Sequence, residues 1–270
     1  ACICKRTYIL IAGNTAGLFK PTNLLIPGLA CSSINADSLG QEVSVELYPS
    51  MVQVEFRVAL VWLKQCAGSV LTSYHILSSA SCFSGDYYRE DVKRVRAGSS
   101  YRGENGIVKE VADVYIYPTY GDLGHDSDVA VVRLDGYLTL GDNIKQVAIL
   151  GEGIELPAGL QLELVGWGTT AQGGTEADKS MYSLTLYNVN YDRCLGIYFG
   201  SETITENMVC AGLRDTNGRD IDFTDVGAPI FYSGVAVGVV SFGVSDGNDS
   251  YPVVATAVGS YTSWIVGIAV

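Results

Sequence analysis

Nucleophilic hydrolysis is usually assembled from a hydroxyl, an imidazole and a carboxylate. The chain has only two histidines, His75 and His125. His125 stands three residues before Asp128 in "HDSDVAVVRL" (125–134), which makes it the imidazole best placed in sequence to act with that carboxylate. Ser81, in "SSASC" (78–82), supplies a hydroxyl, so a hydrolase of altered chemistry built on Ser81, His125 and Asp128 is one reading. His75 lies in a strand-like run and reads as a packed or rim histidine rather than a ligand.

Seven cysteines form the second group able to do chemistry: Cys2, Cys4, Cys31, Cys66, Cys82, Cys194 and Cys210. None shows the paired short spacing beside histidines that a zinc site needs, so no metal and no cofactor are expected. Disulfides fit better and imply an oxidising, extracellular setting. An odd count leaves one thiol over, either bridged to another chain or buried and free. The sequon Asn248-Asp249-Ser250 agrees with secretion and marks Asn248 for glycosylation.

The elements around these residues are short and β-like. "VQVEFRVALVWL" (52–63) alternates Val52, Val54, Phe56, Val58 and Leu60 against Gln53, Glu55 and Arg57, the pattern of one strand with one buried face. Comparable runs recur in "KRVRAG", "GIVKEVADVYIYP", "LQLELVGWG", "YSLTLYNVN", "IFYSGVAVGVVSFGV" and "YPVVATAV", separated by turn residues. The last segment, "SYTSWIVGIAV" (260–270), puts Trp264, Ile265 and Ile268 on one helical face behind Ser260 as a candidate cap. Residues 1–36 show no sustained period and read as an extended N-terminal arm, with any signal peptide removed before Ala1. The chain therefore reads as an all-β domain ending in one helix.

At 48% hydrophobic residues a substantial core is available. A net charge of −12 repels phosphate backbones and anionic headgroups, and no apolar run reaches the length of a membrane helix. Nucleic acid and membrane are not expected partners.

Four strings, in order and at matching spacing, resemble the trypsin/chymotrypsin family of serine proteases. "CAGSVLTSYHILSSASC" (66–82) is similar to the stretch around the family's histidine, "HDSDVAVVRL" to the strand carrying its aspartate, "GWG" (166–168) to a further hallmark, and "TDVGAPI" (224–230) to the nucleophile's "GDSGGPL". "SYTSWI" resembles the family's ending. The resemblance covers residues 37–270, is closest in flavour to insect trypsin-like proteins, and implies two six-stranded Greek-key β-barrels with a C-terminal α-helix and the site between the barrels.

Carried over position by position, the resemblance keeps the aspartate as Asp128, puts Ser81 at the histidine and puts Val226 at the nucleophile. Valine has no lone pair with which to attack a carbonyl. Thr224 takes the place of a glycine that helps form the oxyanion hole, and a rearranged loop is expected there. The family is activated when a freed amino group pairs with the aspartate beside the nucleophile. Here the matching start is Asp37-Ser38-Leu39-Gly40 after Ala36, so Asp225 is expected to reach solvent or find substitute donors.

In the specificity pocket Asp220 and Gly243 are kept, whereas Val253 replaces a wall glycine and is expected to fill the slot. Asp222 and Asp246 stand where the resemblance expects a disulfide. It also implies the bridges Cys66–Cys82 and Cys194–Cys210, leaving Cys31 to pair with Cys2 or Cys4 and tether the arm. The functional expectation is a secreted chain that is not an enzyme. It is expected to bind another protein, with the leftover Cys2 or Cys4 as a candidate covalent link. A covalently assembled storage or structural protein and the altered hydrolase are the alternatives.

Overall fold

The computed structural model describes residues 40–85, 92–168, 179–212, 225–243 and 251–269. Two units, Ala1–Asp37 and Ser38–Val270, make up the chain, and every element below belongs to the second. The expectations for the arm 1–36, Cys2, Cys4, Cys31, Asp220, Asp222, Thr224, Asp246 and Asn248 lie outside the described residues.

The first barrel is built from β2 (Met51–Val58), β3 (Val61–Val70), β4 (His75–Ser78), β5 (Lys93–Ala97), β6 (Ile107–Ile116) and β7 (Ala130–Leu134), closed in the order β2-β3-β4-β7-β6-β5. The second uses β9 (Gln161–Gly166), β10 (Met181–Val189), β11 (Met208–Gly212), β12 (Pro229–Tyr232), β13 (Val235–Phe242) and β14 (Val253–Ala257). Its order is β9-β10-β11-β14-β13-β12, closed by the pairing of β12 with β9. In both barrels the fourth strand returns beside the first, a Greek-key path. Closure leaves neither barrel with a free edge along this circuit. Two short strands, β1 (Gln41–Val43) on β10 and β8 (Ala148–Ile149) on β13, are added to the second barrel. The two antiparallel six-stranded barrels match the expected fold.

Each barrel has its own core. Val52, Val54, Ile76, Phe83, Val95 and Val132 fill the first, and Leu162, Leu164, Trp167, Leu186, Ile230 and Val237 fill the second. A third cluster spans the seam, with Leu77 and Val131 of the first barrel against Val239 of the second and Tyr261 and Ile265 from the C-terminal segment. Tyr117 meets the rings of Tyr261 and Trp264 edge-on, with centroids 4.7 and 5.2 Å apart. This seam fixes the cleft between the barrels. No helix among the described residues is long and apolar enough to cross a membrane.

Three local expectations need correction. The run 52–63 is a hairpin rather than one strand: β2 ends at Val58, Ala59 takes a left-handed φ of 53°, and β3 begins at Val61. The turn carries none of the Gly, Asn or Pro that usually announce one, so alternation continued across it. Gln53 and Glu55, expected on a solvent face, are 0% and 1% exposed. The stretch after β5 covers Gln53, whose Nε2 donates to Tyr101 O and whose Oε1 accepts from Gly103 N–H, while Arg94 and Arg96 of β5 itself donate to Glu55.

A helix that the sequence reading lacked, α1 (Tyr191–Ile197), follows β10. Asn190 caps it by accepting from Arg193 N–H, and seven residues are too few for helical periodicity to emerge. The closing helix α2 (Thr262–Ile268) has no side-chain cap from Ser260, which sits in the preceding 3-10 turn. Thr262 Oγ1 instead donates back to Val258 O at 3.0 Å and to Leu150 O at 2.5 Å.

Candidate functional site

Asp128 is the centre of the site. It precedes β7 directly after Ser127, whose φ of 61° bends the chain so that the Asp128 side chain turns inward. Thr256 Oγ1 on β14 donates to Asp128 O at 2.8 Å, fastening this bend to the second barrel. The residue is fully buried. Its Oδ1 accepts from Ser81 N–H at 2.7 Å, and its Oδ2 accepts from Ser81 Oγ at 2.9 Å and Ser241 Oγ at 2.5 Å. Burial raises the Asp128 pKa, against the opposing pull of the Ser241 and Ser81 hydrogen bonds and the His125 charge. The outcome is a carboxylate of more than ordinary basicity, held by hydroxyls where an imidazole is absent.

Ser81 is brought to Asp128 by a 3-10 turn, Ala80–Phe83, that leaves the end of β4. Its hydroxyl also donates to Ser79 Oγ at 3.1 Å, so Ser79, Ser81 and Ser241 form one hydroxyl network around the carboxylate. The Tyr120 phenol borders the same network, and burial together with the Asp128 charge pushes its pKa up.

The Cys66–Cys82 disulfide ties this turn to β3, and β3 in turn holds Val226, because Ala67 N–H donates to Val226 O at 2.8 Å. The Val226 side chain packs against the first barrel's core. Gly227 follows at φ 83°, where an added Cβ would run into Ala67 O and Ser78 Oγ. The bend thus requires glycine for both its dihedral and its closeness to β3.

Asp225 points away from Val226 into the second barrel. Its Oδ1 accepts from Trp167 N–H at 3.1 Å and stands 4.0 Å from Lys64 Nζ. A Cβ on either Gly166 or Gly168 would overlap its carboxylate, so the two glycines of "GWG" make the space that receives it. The Lys64 side chain is 0% exposed and its ammonium lies 5.9 Å from the Trp167 ring centroid. The carboxylate that the sequence left without a donor therefore sits beside a lysine of the chain itself.

On the pocket side, an added Cβ at Gly243 would meet Val253 Cα and Cγ2 at 3.9 and 4.0 Å, so these two positions adjoin. Val253 is buried in the second barrel's core. The His125 ring lies against that of Phe242, with centroids 4.7 Å apart. His75 is buried on β4, bonded to Thr72 Oγ1 at 2.9 Å, with its pKa lowered by burial and by Arg133. Among the described residues no group of three or more His, Cys, Asp or Glu is arranged to hold a metal.

Sequence reasoning missed Ser241 and Lys64, and a signal existed for each. Ser241 is the one hydroxyl in the apolar run "VAVGVVSF", where a buried polar group must find a partner. Lys64 is a lone cation in the β-like run ahead of Cys66, and a bulge at Gln65 turns it to the face opposite Cys66, where it pairs in register with Glu55.

The family model described as Trypsin matches residues 39–265, most of the chain. The chain belongs to the trypsin family. "Trypsin CFT-1" of Choristoneura fumiferana is 32% identical over 84% of this chain and 88% of its own, and "Trypsin, alkaline C" of Manduca sexta is 30% identical over the same shares. A crystal structure of the scabies mite inactivated protease paralogue S-D1 superposes with a TM-score of 0.74 at 24% identity, covering 85% of this chain and 95% of that one. That last likeness concerns the fold.

The expectation that the chain is not an enzyme is overturned by these relatives, which are named as trypsins and point to a protease. That expectation was drawn from individual positions, chiefly Val226. The buried, hydroxyl-bonded Asp128 shows that the polar machinery of the cleft is more than one side chain.

Proposed function

We propose that this trypsin-family chain works outside cells by binding another protein at the cleft between its two barrels. The observation that carries the reading is the Ser81–Asp128–Ser241 network at the floor of that cleft, beside the Val226 bend. Buried Asp128 and Ser241 hold the partly exposed Ser81 turn in one position between the two barrels, the kind of preformed support on which an extended polypeptide can be held. Two disulfides, Cys66–Cys82 and Cys194–Cys210, support an oxidising compartment. Reduced, carboxymethylated casein is a suitable extended probe. It should bind saturably to the chain and lose binding to a Ser81→Trp variant whose melting is unchanged; equal binding to both would refute the cleft as the binding surface.

A second reading is favoured by one specific contact, the 2.9 Å bond from Ser81 Oγ to Asp128. A carboxylate with a raised pKa can take the proton as the Ser81 oxygen attacks an acyl carbonyl and return it to the leaving amine, so that an acyl ester forms as the amide C–N bond breaks; water then hydrolyses the ester and restores the Ser81 hydroxyl. Hydrolysis of a fluorogenic peptide amide that disappears in Ser81→Ala would establish it. Hydrolysis that persists in that variant would dismiss Ser81 as the nucleophile.

A further inference from the structure

We propose a second binding site, remote from the cleft: a groove at the far end of the second barrel that takes a basic, apolar segment of a partner protein. Three stretches form its walls: residues 150–158 before β9, the end of β10 running into α1, and residues 206–210 entering β11. The groove measures about 730 Å³, within the range of ligand-binding clefts. Ala257, the last residue of β14, lies at its floor, whereas Val253, the first, belongs to the pocket side of the cleft. At about 3.3 Å per strand residue the two ends are roughly 13 Å apart. Occupation of one site therefore does not require the other.

The chemistry of the lining selects the occupant. Glu152, Glu155 and Glu206 all border the groove, and among the described residues no lysine or arginine does. Ser263 Oγ donates to Glu152, which holds that carboxylate at the rim. Among the carboxylates the lining is mixed: Asn188, Asn190 and Asn207 are polar, and Ile154, 54% exposed, and Tyr191, 37% exposed, offer apolar surface. The apolar strip continues along α1 through Leu195, one turn beyond Tyr191, to Phe199, which is 86% exposed. A groove whose rim carries three carboxylates beside exposed apolar side chains fits a ligand that offers cations and apolar groups together.

The complementary ligand carries lysine or arginine spaced between bulky apolar side chains, so that cations meet the glutamates while the apolar groups cover Ile154 and Tyr191. An anionic membrane is repelled by the same carboxylates. A second copy brings another net charge of −12 to an already acidic rim.

The test uses a fluorescent synthetic peptide of alternating arginine and leucine, its glutamate-for-arginine twin, and the full chain in low and high salt. The arginine peptide should bind saturably and more weakly as salt rises, and the twin should not bind. Glu152→Gln, Glu155→Gln and Glu206→Gln combined should weaken binding about tenfold or more, and Tyr191→Ala severalfold. Glu42→Gln, Glu110→Gln and Asp142→Asn remove the same charge from exposed positions outside the groove and should leave affinity within about twofold. Equal loss in the two triple variants, no saturable binding, or self-association that the groove substitutions abolish would each overturn the proposal. None of these results depends on casein binding or on hydrolysis at Ser81.

Discussion

In the first barrel, positions on β2, β3 and β5 with 9% exposure or less include Gln53, Glu55, Lys64, Lys93 and Arg96. The corresponding strands β9, β10 and β12 of the second barrel bury Leu162, Leu164, Val165, Met181, Leu186, Ile230 and Phe231. The two barrels nevertheless close by the same Greek-key path. Path and closure thus follow from hairpin order and inward apolar residues, which both barrels share, while the first barrel also buries polar and charged side chains on the far side of its strands. In the first barrel, Glu55 is what makes burial of the charges tolerable, since it accepts from Arg94 Nε at 2.6 Å and Arg96 Nε at 2.5 Å.

The comparison breaks most sharply at Glu55. Glu55→Ala leaves Arg94 and Arg96 without their shared carboxylate and should cost about 3–5 kcal/mol, read as a lowered urea midpoint. Glu55→Leu combined with Arg96→Met should recover much of that loss, because an apolar pair can replace a buried ionic one. Failure to recover would mean that the ionic wall contributes more than pairing.

The disulfides come next. Each closes a span of 16 residues, Cys66–Cys82 at the cleft and Cys194–Cys210 beside α1, so replacing either pair with serines should lower stability by about 3 kcal/mol. A markedly larger effect for the first pair would show that its bridge also holds the Ser81 turn against β3.

A smaller effect, about 1–3 kcal/mol, is expected for Gly168→Ala, which inserts a methyl where the Asp225 carboxylate lies. Because Trp167 donates to that carboxylate, its fluorescence should change in the same variant.

The last effect is a pH dependence confined to the first barrel. Burial lowers the Lys93 pKa from 10.5 to about 8. The unfolded chain therefore binds more protons than the folded one between those values, and stability should rise from about pH 8 to about pH 10.5. Lys93→Met should flatten that rise in melting curves, and an unchanged slope would assign it to another group.

How much of this the sequence could show depends on whether a residue's neighbours in space are also its neighbours in pattern. The barrels were legible because inward apolar residues recur at period two and four motifs bracket the site. Gln53 and Glu55 were misplaced because alternation tells which side a residue faces and not what covers that side. Asp128 and Ser81 were identified, but the bond that Asp128 accepts from Ser241, 113 positions along the chain, is a property of the closed barrels. The same holds for Lys64, whose meeting with Asp225 requires β3 to lie against the segment ahead of β12.

That meeting has a consequence for timing. When the counter-charge to a buried carboxylate is a lysine in the middle of a barrel strand, it arrives with the strand. The bend at Asp225, Val226 and Gly227 can then take its shape in the same event that closes the barrels.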